Sequence, residues 1–369
     1  MDDTGPLLIQ VLPQLKPARC GVSDQAVLLA RELNRGFGIR TAFVVLNSDV
    51  RSDVPYPVIH CAPTQLLESI LKLSGGQACS ILVHVSGYGY SSNGAPMLLA
   101  EALEKMKVDG RLRIAGYFHE LFAGGPPWKS AFWYSHRQKA AVRKIAKTCE
   151  LVVTNTGVHA KWLKRETLGG PAHSVELLPV FSAAGEWPVP AFPPQRAPVM
   201  AVFGLPATRK RSYEELSAFP GVLQDLGVEE FLDIGAGSEV PMELHGIAVR
   251  QRGAVDVVQL AKELSLVRYG FLPYDPLYLP KSSIFATYCA QGTVPVIAKP
   301  FDGEVDGLRD GVQVLSPATA RQAIRAGLDR CSHEARKWYV GHSVHAHAET
   351  YARWLNQSVP VLEHQDARR

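Results

Sequence analysis

Residues 271–297, FLPYDPLYLPKSSIFATYCAQGTVPVI, decide the fold of this 369-residue chain. They read strand, loop, helix, strand. A mostly apolar run over 267–272 stops at Pro273, and a turn-rich loop follows with Tyr274, Asp275, Pro276 and Pro280. Lys281-Ser282-Ser283 then opens a helix to about Gln291, Gly292 stops it, and Val294-Pro295-Val296-Ile297 begins the next strand. A serine pair at a helix start supplies one hydroxyl for capping and leaves backbone N–H groups facing outward. The positive end of the helix dipole and the adjacent lysine make this point attractive to phosphate. An ordinary capped helix with a solvated lysine is the plainer alternative.

The same alternation extends outward in both directions. Residues 7–12 are an apolar run broken only by Gln10, as expected of a buried parallel strand. Ser23-Asp24 can cap a helix over 25–35, and 41–46 is the next strand, which completes a β-α-β unit around the Gly21-Val22 turn. No G-x-G-x-x-G occurs there, so a nicotinamide fingerprint is missing. Strands over 80–85, 113–118, 151–155 and 177–180 alternate with helices over 64–73, 97–107, 137–149 and 157–165. The strand at 113–118 delivers His119-Glu120.

A loop over 121–134 then combines a Gly-Gly-Pro-Pro turn with Phe122, Trp128, Phe132, Trp133 and Tyr134. Sugars and lipid tails pack on such flat faces, and so does an ordinary core. Prolines at 188, 190, 193, 194 and 198 mark a linker over 183–198. The alternation restarts with a strand at 199–203 ending in Gly204. A helix at 213–218 follows, then strands at 231–234 and 247–250 and a helix at 255–264. After the opening unit come a short strand at 312–315 and helices at 318–329, 333–338 and 343–355. Two domains, 1–182 and 199–342, with a helical segment at 343–369, are expected.

A hydrophobic content of 46% and a charged content of 20% fit a globular chain. No apolar run has the length of a membrane helix, and MDDTGPLLIQVLP lacks a basic signal-peptide region, so a cytoplasmic protein is expected. Six scattered cysteines, with no C-x-x-C pair, indicate neither a metal cluster nor a disulfide framework. Residues 129–165 hold nine Lys/Arg against one Glu. That local balance of +8, within a total of +4, leaves the remainder near −4. Lys139, Arg143 and Lys147 recur every four residues with Lys144 beside them. Such a face meets an anionic partner or is simply solvated.

The opening stretch resembles the donor-binding segment of glycosyltransferases with the glycosyltransferase-B fold. Ala290-Gln291-Gly292-Thr293-Val294-Pro295-Val296-Ile297 stands where that family carries an A-x-G-x-P-V-I-like run. The paired glutamates of the retaining family-four enzymes are absent, their places holding Leu279 and Thr287. The Gly21-Val22 turn resembles the family's glycine loop. His119 resembles the strand-end histidine that approaches the transferred sugar. Residues 204–211, GLPATRKR, stand against G-R-x-x-x-x-K, with Lys210 at the lysine place, Leu205 at the arginine place, and Arg209 and Arg211 as substitutes.

The resemblance implies an α/β protein of two Rossmann-like β/α/β domains facing a central cleft, with the last helix returning to the first domain. It implies transfer of a sugar, with retention, from a UDP- or GDP-sugar co-substrate to a glycan or lipid-linked acceptor in polysaccharide or glycoconjugate biosynthesis. No other cofactor and no metal are expected, since no D-x-D element is present. His119 and Glu120 would be catalytic. Gly21, Gly204, Arg209, Lys210, Lys281, Ser282 and Ser283 would contact the donor, and Trp128, Phe132 and Trp133 the acceptor. The basic face would give peripheral contact with an anionic membrane. No nucleic-acid motif accompanies the charge. A non-catalytic scaffold of the same fold and a nucleotide-sugar epimerase are the alternatives.

Overall fold

The computed structural model describes residues 5–15, 21–46, 53–108, 110–124, 128, 130–167, 174–186, 195–237 and 240–357. The Gly-Gly-Pro-Pro turn beyond Gly124, the proline-rich centre of the expected linker (187–194) and Cys20 lie outside the described residues. In the first half, β1 (Leu7–Leu12), α1 (Gly21–Phe37), β2 (Arg40–Val45), β3 (Val58–His60), α2 (Leu66–Ser74), β4 (Cys79–Val85), α3 (Gly87–Tyr90), α4 (Met97–Met106), β5 (Leu112–Phe118), α5 (Ser130–Thr148), β6 (Leu151–Thr154), α6 (Gly157–Glu166) and β7 (Val175–Leu177) follow one another. The second half contains β8 (Ala197–Phe203), α7 (Pro206–Leu216), α8 (Pro220–Leu226), β9 (Glu230–Ile234), β10 (Glu243–Leu244), β11 (Ile247–Gln251), α9 (Val257–Leu266) and β12 (Val267–Phe271). It closes with α10 (Ser283–Gln291), β13 (Val294–Val296), α11 (Ala320–Ala326), α12 (Leu328–Val340) and α13 (Val344–Asn356).

The fold is α/β, with two Rossmann-like parallel sheets. The first has the order β3-β2-β1-β4-β5-β6-β7 and the second β10-β11-β9-β8-β12-β13. Only the β10–β11 pair in these sheets is antiparallel. Helices cover both faces, which explains the strand compositions: every residue of β4, Cys-Ser-Ile-Leu-Val-His-Val, is buried. Chain order reverses at β1/β4 in the first sheet and at β8/β12 in the second, the points where open parallel sheets leave crevices.

Several elements differ from the expectations. Helix α5 begins at Ser130 rather than 137, so Phe132, Trp133 and Tyr134 occupy its first turns rather than a loop. Helix α7 begins at Pro206 rather than 213, with proline in the first turn where its missing N–H does no harm. This places Arg209, Lys210 and Arg211 on a helix. Strand β7 ends at Leu177, and Val180 instead donates its N–H to the Pro280 carbonyl at 2.9 Å. The short strand expected at 312–315 is a bridge between Leu315 and Val296. Arg196, in the expected linker, is buried and donates to the carbonyls of Gln291 (2.7 Å) and Val267 (3.2 Å), so β8 is anchored at its start.

The halves share one continuous core. Leu8, Leu82, Tyr117 and Val180 of the first belong to the same cluster as Leu279, Phe285 and Tyr339 of the second. Helix α13 packs on α1 and inserts Tyr351 and Trp354 into that cluster. Its His347 bonds the Pro179 carbonyl (2.9 Å), and His345 meets Glu32 at 2.8 Å.

A second tie crosses at α6. Asp306, at φ +49°, accepts the Gly157 N–H at 2.8 Å, so a carboxylate from one half meets the N-terminus of a helix of the other, beside its Thr156 cap. A Cβ on Gly157 would lie 2.2 Å from Asp306 Oδ1. Asp306→Ala should therefore destabilise the protein by about 1 kcal/mol, the usual net loss for one hydrogen bond. Gly157→Ala expels the same carboxylate, so the double variant should be no less stable than the worse single one. Additive losses in urea melts would show that this contact does not link the halves.

Candidate active site

A cavity of about 230 Å³ opens at the β1/β4 switch point. Gly21, Val22 and Gln25 at the start of α1, Ser86 after β4, His119 and Glu120 after β5, and Asn155 after β6 form one wall. Lys281 and Ser283, at the start of α10, form the other. A second cavity of about 290 Å³ adjoins it and shares Glu120 and Lys281. Tyr88, Phe122, His159 and Tyr278 line this one. Buried Gln138 frames it: its Oε1 accepts from Ala123 N (2.8 Å), and its Nε2 donates to the Asn93 carbonyl (2.7 Å) and the Tyr88 hydroxyl (3.1 Å).

The cationic wall follows from local sequence. Ser282 is the N-cap of α10, its Oγ accepting from Phe285 N at 3.2 Å, so the buried Ser282 is occupied by capping. That cap leaves the first-turn N–H groups of α10 without intrahelical partners, beside Ser283 and Lys281. Lys281 Nζ is 3.5 Å from Glu120 Oε1 and 5.2 Å from the Tyr278 ring centre. Both charges are partly solvated, so the pair contributes little stability. Its consequence is positional, because a cation and a carboxylate meet where the two cavities join.

The opposite wall offers acceptors. Asn155 Nδ2 donates to the His119 carbonyl (3.1 Å), while Asn155 Oδ1 is buried with no partner among the described residues. Behind His119 lies a buried line: Gln10 Oε1 is 2.7 Å from His84 Nε2, and His84 Nδ1 is 3.0 Å from His119 Nε2. Burial, with His347 nearby, drives His84 down to about 3. Burial, then His84 and His347, holds His119 well below the usual imidazole range. His159 falls to about 4, through burial and then Lys281.

Not all expected site residues meet here. Gly21, His119, Glu120, Lys281 and Ser283 do. Arg209, 2% exposed, is turned inward: it pairs with Asp233 Oδ2 at 3.1 Å and donates to the carbonyls of Gly204 (3.3 Å) and Ala236 (3.0 Å). Tyr213 donates to the same Asp233 oxygen at 3.2 Å. The donor contact expected of Arg209 thus meets a guanidinium committed to the second sheet. Lys210 lies on α7, 72% exposed and 3.9 Å from Glu214, and lines neither cavity. Gly204, at φ +137°, lets α10 approach β8, since a Cβ there would be 2.9 Å from Ile284 Cδ1. Trp128 (83% exposed), Phe132 and Trp133 (70%) sit outside both cavities.

Leu279 and Thr287, at the places of the missing glutamates, are buried. Thr287 Oγ1 donates to the Ser283 carbonyl (2.7 Å) and bonds Ser182 Oγ (3.1 Å). Of the basic face, Arg143 pairs with Glu166, Lys144 meets Glu104 at 2.8 Å, and Lys139 lies over the Phe122 ring at 4.8 Å. The described residues contain no group of three His, Cys, Asp or Glu placed to hold a metal. No described helix is long and apolar enough to cross a membrane.

Sequence reasoning passed over Gln10, His84, Asn155, Tyr88, Gln138 and Tyr278. Two of these carried a signal, since Gln10 alone interrupts an apolar β1 and the buried β4 holds a His near its end.

No family model and no curated protein matches the chain. Solved structures do resemble it. An α-glucosyltransferase in complex with UDP-glucose and DNA containing an abasic site shares 12% identity at a TM-score of 0.61, covering 95% of this chain and 99% of that one. The OtsA apo structure shares 13% at 0.57, covering 96% and 100%. The pneumococcal O-GlcNAc transferase GtfA in complex with UDP and GlcNAc shares 8% at 0.58, covering 95% and 99%. At such identities the likeness establishes a common fold, the glycosyltransferase-B arrangement.

Two outcomes follow from this geometry. His84, His119, His159, His342 and His347 are all held below 6.5, burial being the first cause in each. Below about pH 6.5 the unfolded chain therefore binds more protons than the folded one. The melting temperature should be flat above pH 7 and fall steadily between about pH 6.5 and 4. A flat profile down to pH 4.5, before carboxylates contribute, would contradict neutral buried imidazoles. Arg209→Ala leaves the buried Asp233 without its cation and with Tyr213 as a remaining hydrogen-bond donor, and should destabilise the protein by about 3–5 kcal/mol. Near-native urea stability in that variant would return Arg209 to the list of ligand contacts.

Proposed function

We propose that this protein transfers a sugar from a uridine diphosphate sugar to a hydroxyl of an acceptor. The observation that carries this is the two-sided cavity. Lys281 and the α10 N-terminus provide positive charge and free N–H groups on one side. Asn155 Oδ1, His119 and Glu120 provide acceptors on the other. A sugar diphosphate has matching ends, an anion and a set of hydroxyl donors. The choice of uridine rests on the UDP and UDP-glucose in the similar structures; a GDP-sugar has the same diphosphate and is the comparison to run.

The chemistry assigns one role to each group. The bond between the sugar's anomeric carbon and the diphosphate oxygen breaks, and negative charge builds on the departing oxygen. Lys281 and the α10 dipole stabilise that charge. Glu120, between the cavities, takes the proton of an acceptor hydroxyl placed in the second cavity, where Tyr88, Phe122 and Tyr278 present flat faces to a sugar ring. Retention is taken from the family resemblance, and the anomeric configuration of the product tests it. The acceptor classes are a glycan or a lipid-linked saccharide, and the DNA in the similar α-glucosyltransferase adds a third to assay. Trp128 and Trp133 adjoin the basic helix α5, which suits peripheral contact with an anionic bilayer; salt-sensitive flotation with vesicles tests that contact.

A non-catalytic binding protein of this fold is the second reading, favoured by Leu279 and Thr287 in place of carboxylates. UDP should raise the melting temperature by mass action. Lys281→Ala should weaken UDP binding by about 1.5–3 kcal/mol, as for a lost charged hydrogen bond, and Lys210→Ala should leave it nearly unchanged. Glu120→Gln should cut turnover with UDP affinity kept. UDP binding without transfer or hydrolysis of any UDP-sugar would select the binding protein, and equal losses in Lys210→Ala and Lys281→Ala would move the diphosphate toward α7.

A further inference from the structure

Gln10, His84 and His119 lie on β1, on β4 and just past β5, three adjacent strands, and their hydrogen bonds run across the sheet to the cavity wall. Gln10 and His84 are almost wholly buried. The order of protons along this line is forced. The Ala26 carbonyl can only accept, so the Gln10 amide nitrogen faces it (3.2 Å) and Gln10 Oε1 faces His84 Nε2 (2.7 Å). Oε1 carries no proton, so His84 Nε2 must. A neutral His84 is then bare at Nδ1, and accepts from His119 Nε2 at 3.0 Å. His119, also neutral, is left bare at Nδ1, which has no hydrogen-bond partner among the described residues and belongs to a side chain lining the cavity.

We propose that Gln10 and His84 are positioning residues that lock His119 as its Nε2–H tautomer, so that Nδ1 accepts a hydroxyl proton from the bound sugar. The sugar rests on the function proposed above; the tautomer does not. The groups around His119 keep it neutral. His84 on β4 and His347 on α13 would repel a charge, and Tyr117 on β5, whose ring centre is 4.2 Å away, is held un-ionised by burial. Glu120 is next in sequence, but it is paired with Lys281, whose positive charge opposes its effect. The line therefore presents an acceptor at neutral pH, where burial, His84 and His347 keep His119 uncharged. It has one open basic nitrogen, His119 Nδ1, and any added proton must go there and turn the acceptor into a donor.

Nitrogen-15 NMR of histidine-labelled protein reads the tautomer directly, without turnover. At pH 7 His119 should show an unprotonated Nδ1 and a protonated Nε2, and addition of a UDP-sugar, but not of UDP, should shift Nδ1 toward a hydrogen-bonded signal. Gln10→Glu keeps an acceptor for His84 but adds negative charge that favours a protonated pair. Its kcat/KM for the UDP-sugar should gain an acid limb near neutrality that wild type lacks, with UDP affinity the same at both ends. Gln10→Leu should lower kcat by about tenfold or more, by analogy with the loss of a hydrogen-bond partner behind a metal-binding histidine. A His119 protonated at Nδ1 or doubly protonated in wild type at pH 7, or a Gln10→Glu profile that superposes on wild type, overturns the proposal. If Gln10→Glu does not fold, the wild-type spectrum decides. If the protein transfers no sugar, the Nδ1 titration in Gln10→Glu replaces the rate profile.

Discussion

A parallel strand covered by helices on both faces has no contact with water, so a polar side chain within it needs a partner inside the sheet. Much of this protein's organisation follows from that constraint. Gln10 and His84 satisfy it through each other, the Ala26 carbonyl and His119. The polar groups that line the cavity stand instead at the C-terminal ends of the strands, where loops leave the sheet and the chain-order reversal at β1/β4 opens a crevice. His119, Glu120 and Asn155 stand there because they are the first residues past the ends of β5 and β6.

The second half completes the site. Helix α10 is buried along its length, so its direction is set by packing, and its N-terminus with Lys281 points at the first sheet. The Val180–Pro280 hydrogen bond, the shared core around Leu279 and Phe285, and the Asp306 hydrogen bond to α6 hold the two crevices against each other. Charge is complementary across the gap: positive on α10, acceptors on the sheet ends. Lys281 and Glu120 mark the seam.

The departures from the family pattern have structural explanations. Leu279 and Thr287 fill positions that here face the interior, and Thr287 returns its hydroxyl to the α10 backbone. Arg209 holds the ends of β8 and β9 together through Asp233 and the carbonyls of Gly204 and Ala236, and Gly235 is packed so closely on it that a Cβ would lie 2.1 Å from Nη1. A guanidinium so enclosed stabilises the loops that follow β8 and β9.

The class of fold is legible in local sequence. The β-α alternation, the glycine stop after α10 and the Ser282 cap follow from local periodicity and backbone preference, which act within about a turn or a strand pair. The family resemblance pointed to Gly21 and His119, and the helix start to Lys281 and Ser283; the fold brings these four and Glu120 to one cavity. Tertiary structure alone decided which side chains share a cavity. Arg209 looked like a phosphate ligand until Asp233, far along the chain, was placed beside it. Trp133 stands in the first turn of α5 and Trp128 just before the helix, both exposed, and Tyr88, Phe122 and Tyr278 line the second cavity instead. The protonation pattern of His119 depends on Gln10 and His84, which are brought to it only by strand pairing. Sequence spacing carries no information about partners so distant, whereas hydrogen-bond direction within the folded sheet settles it.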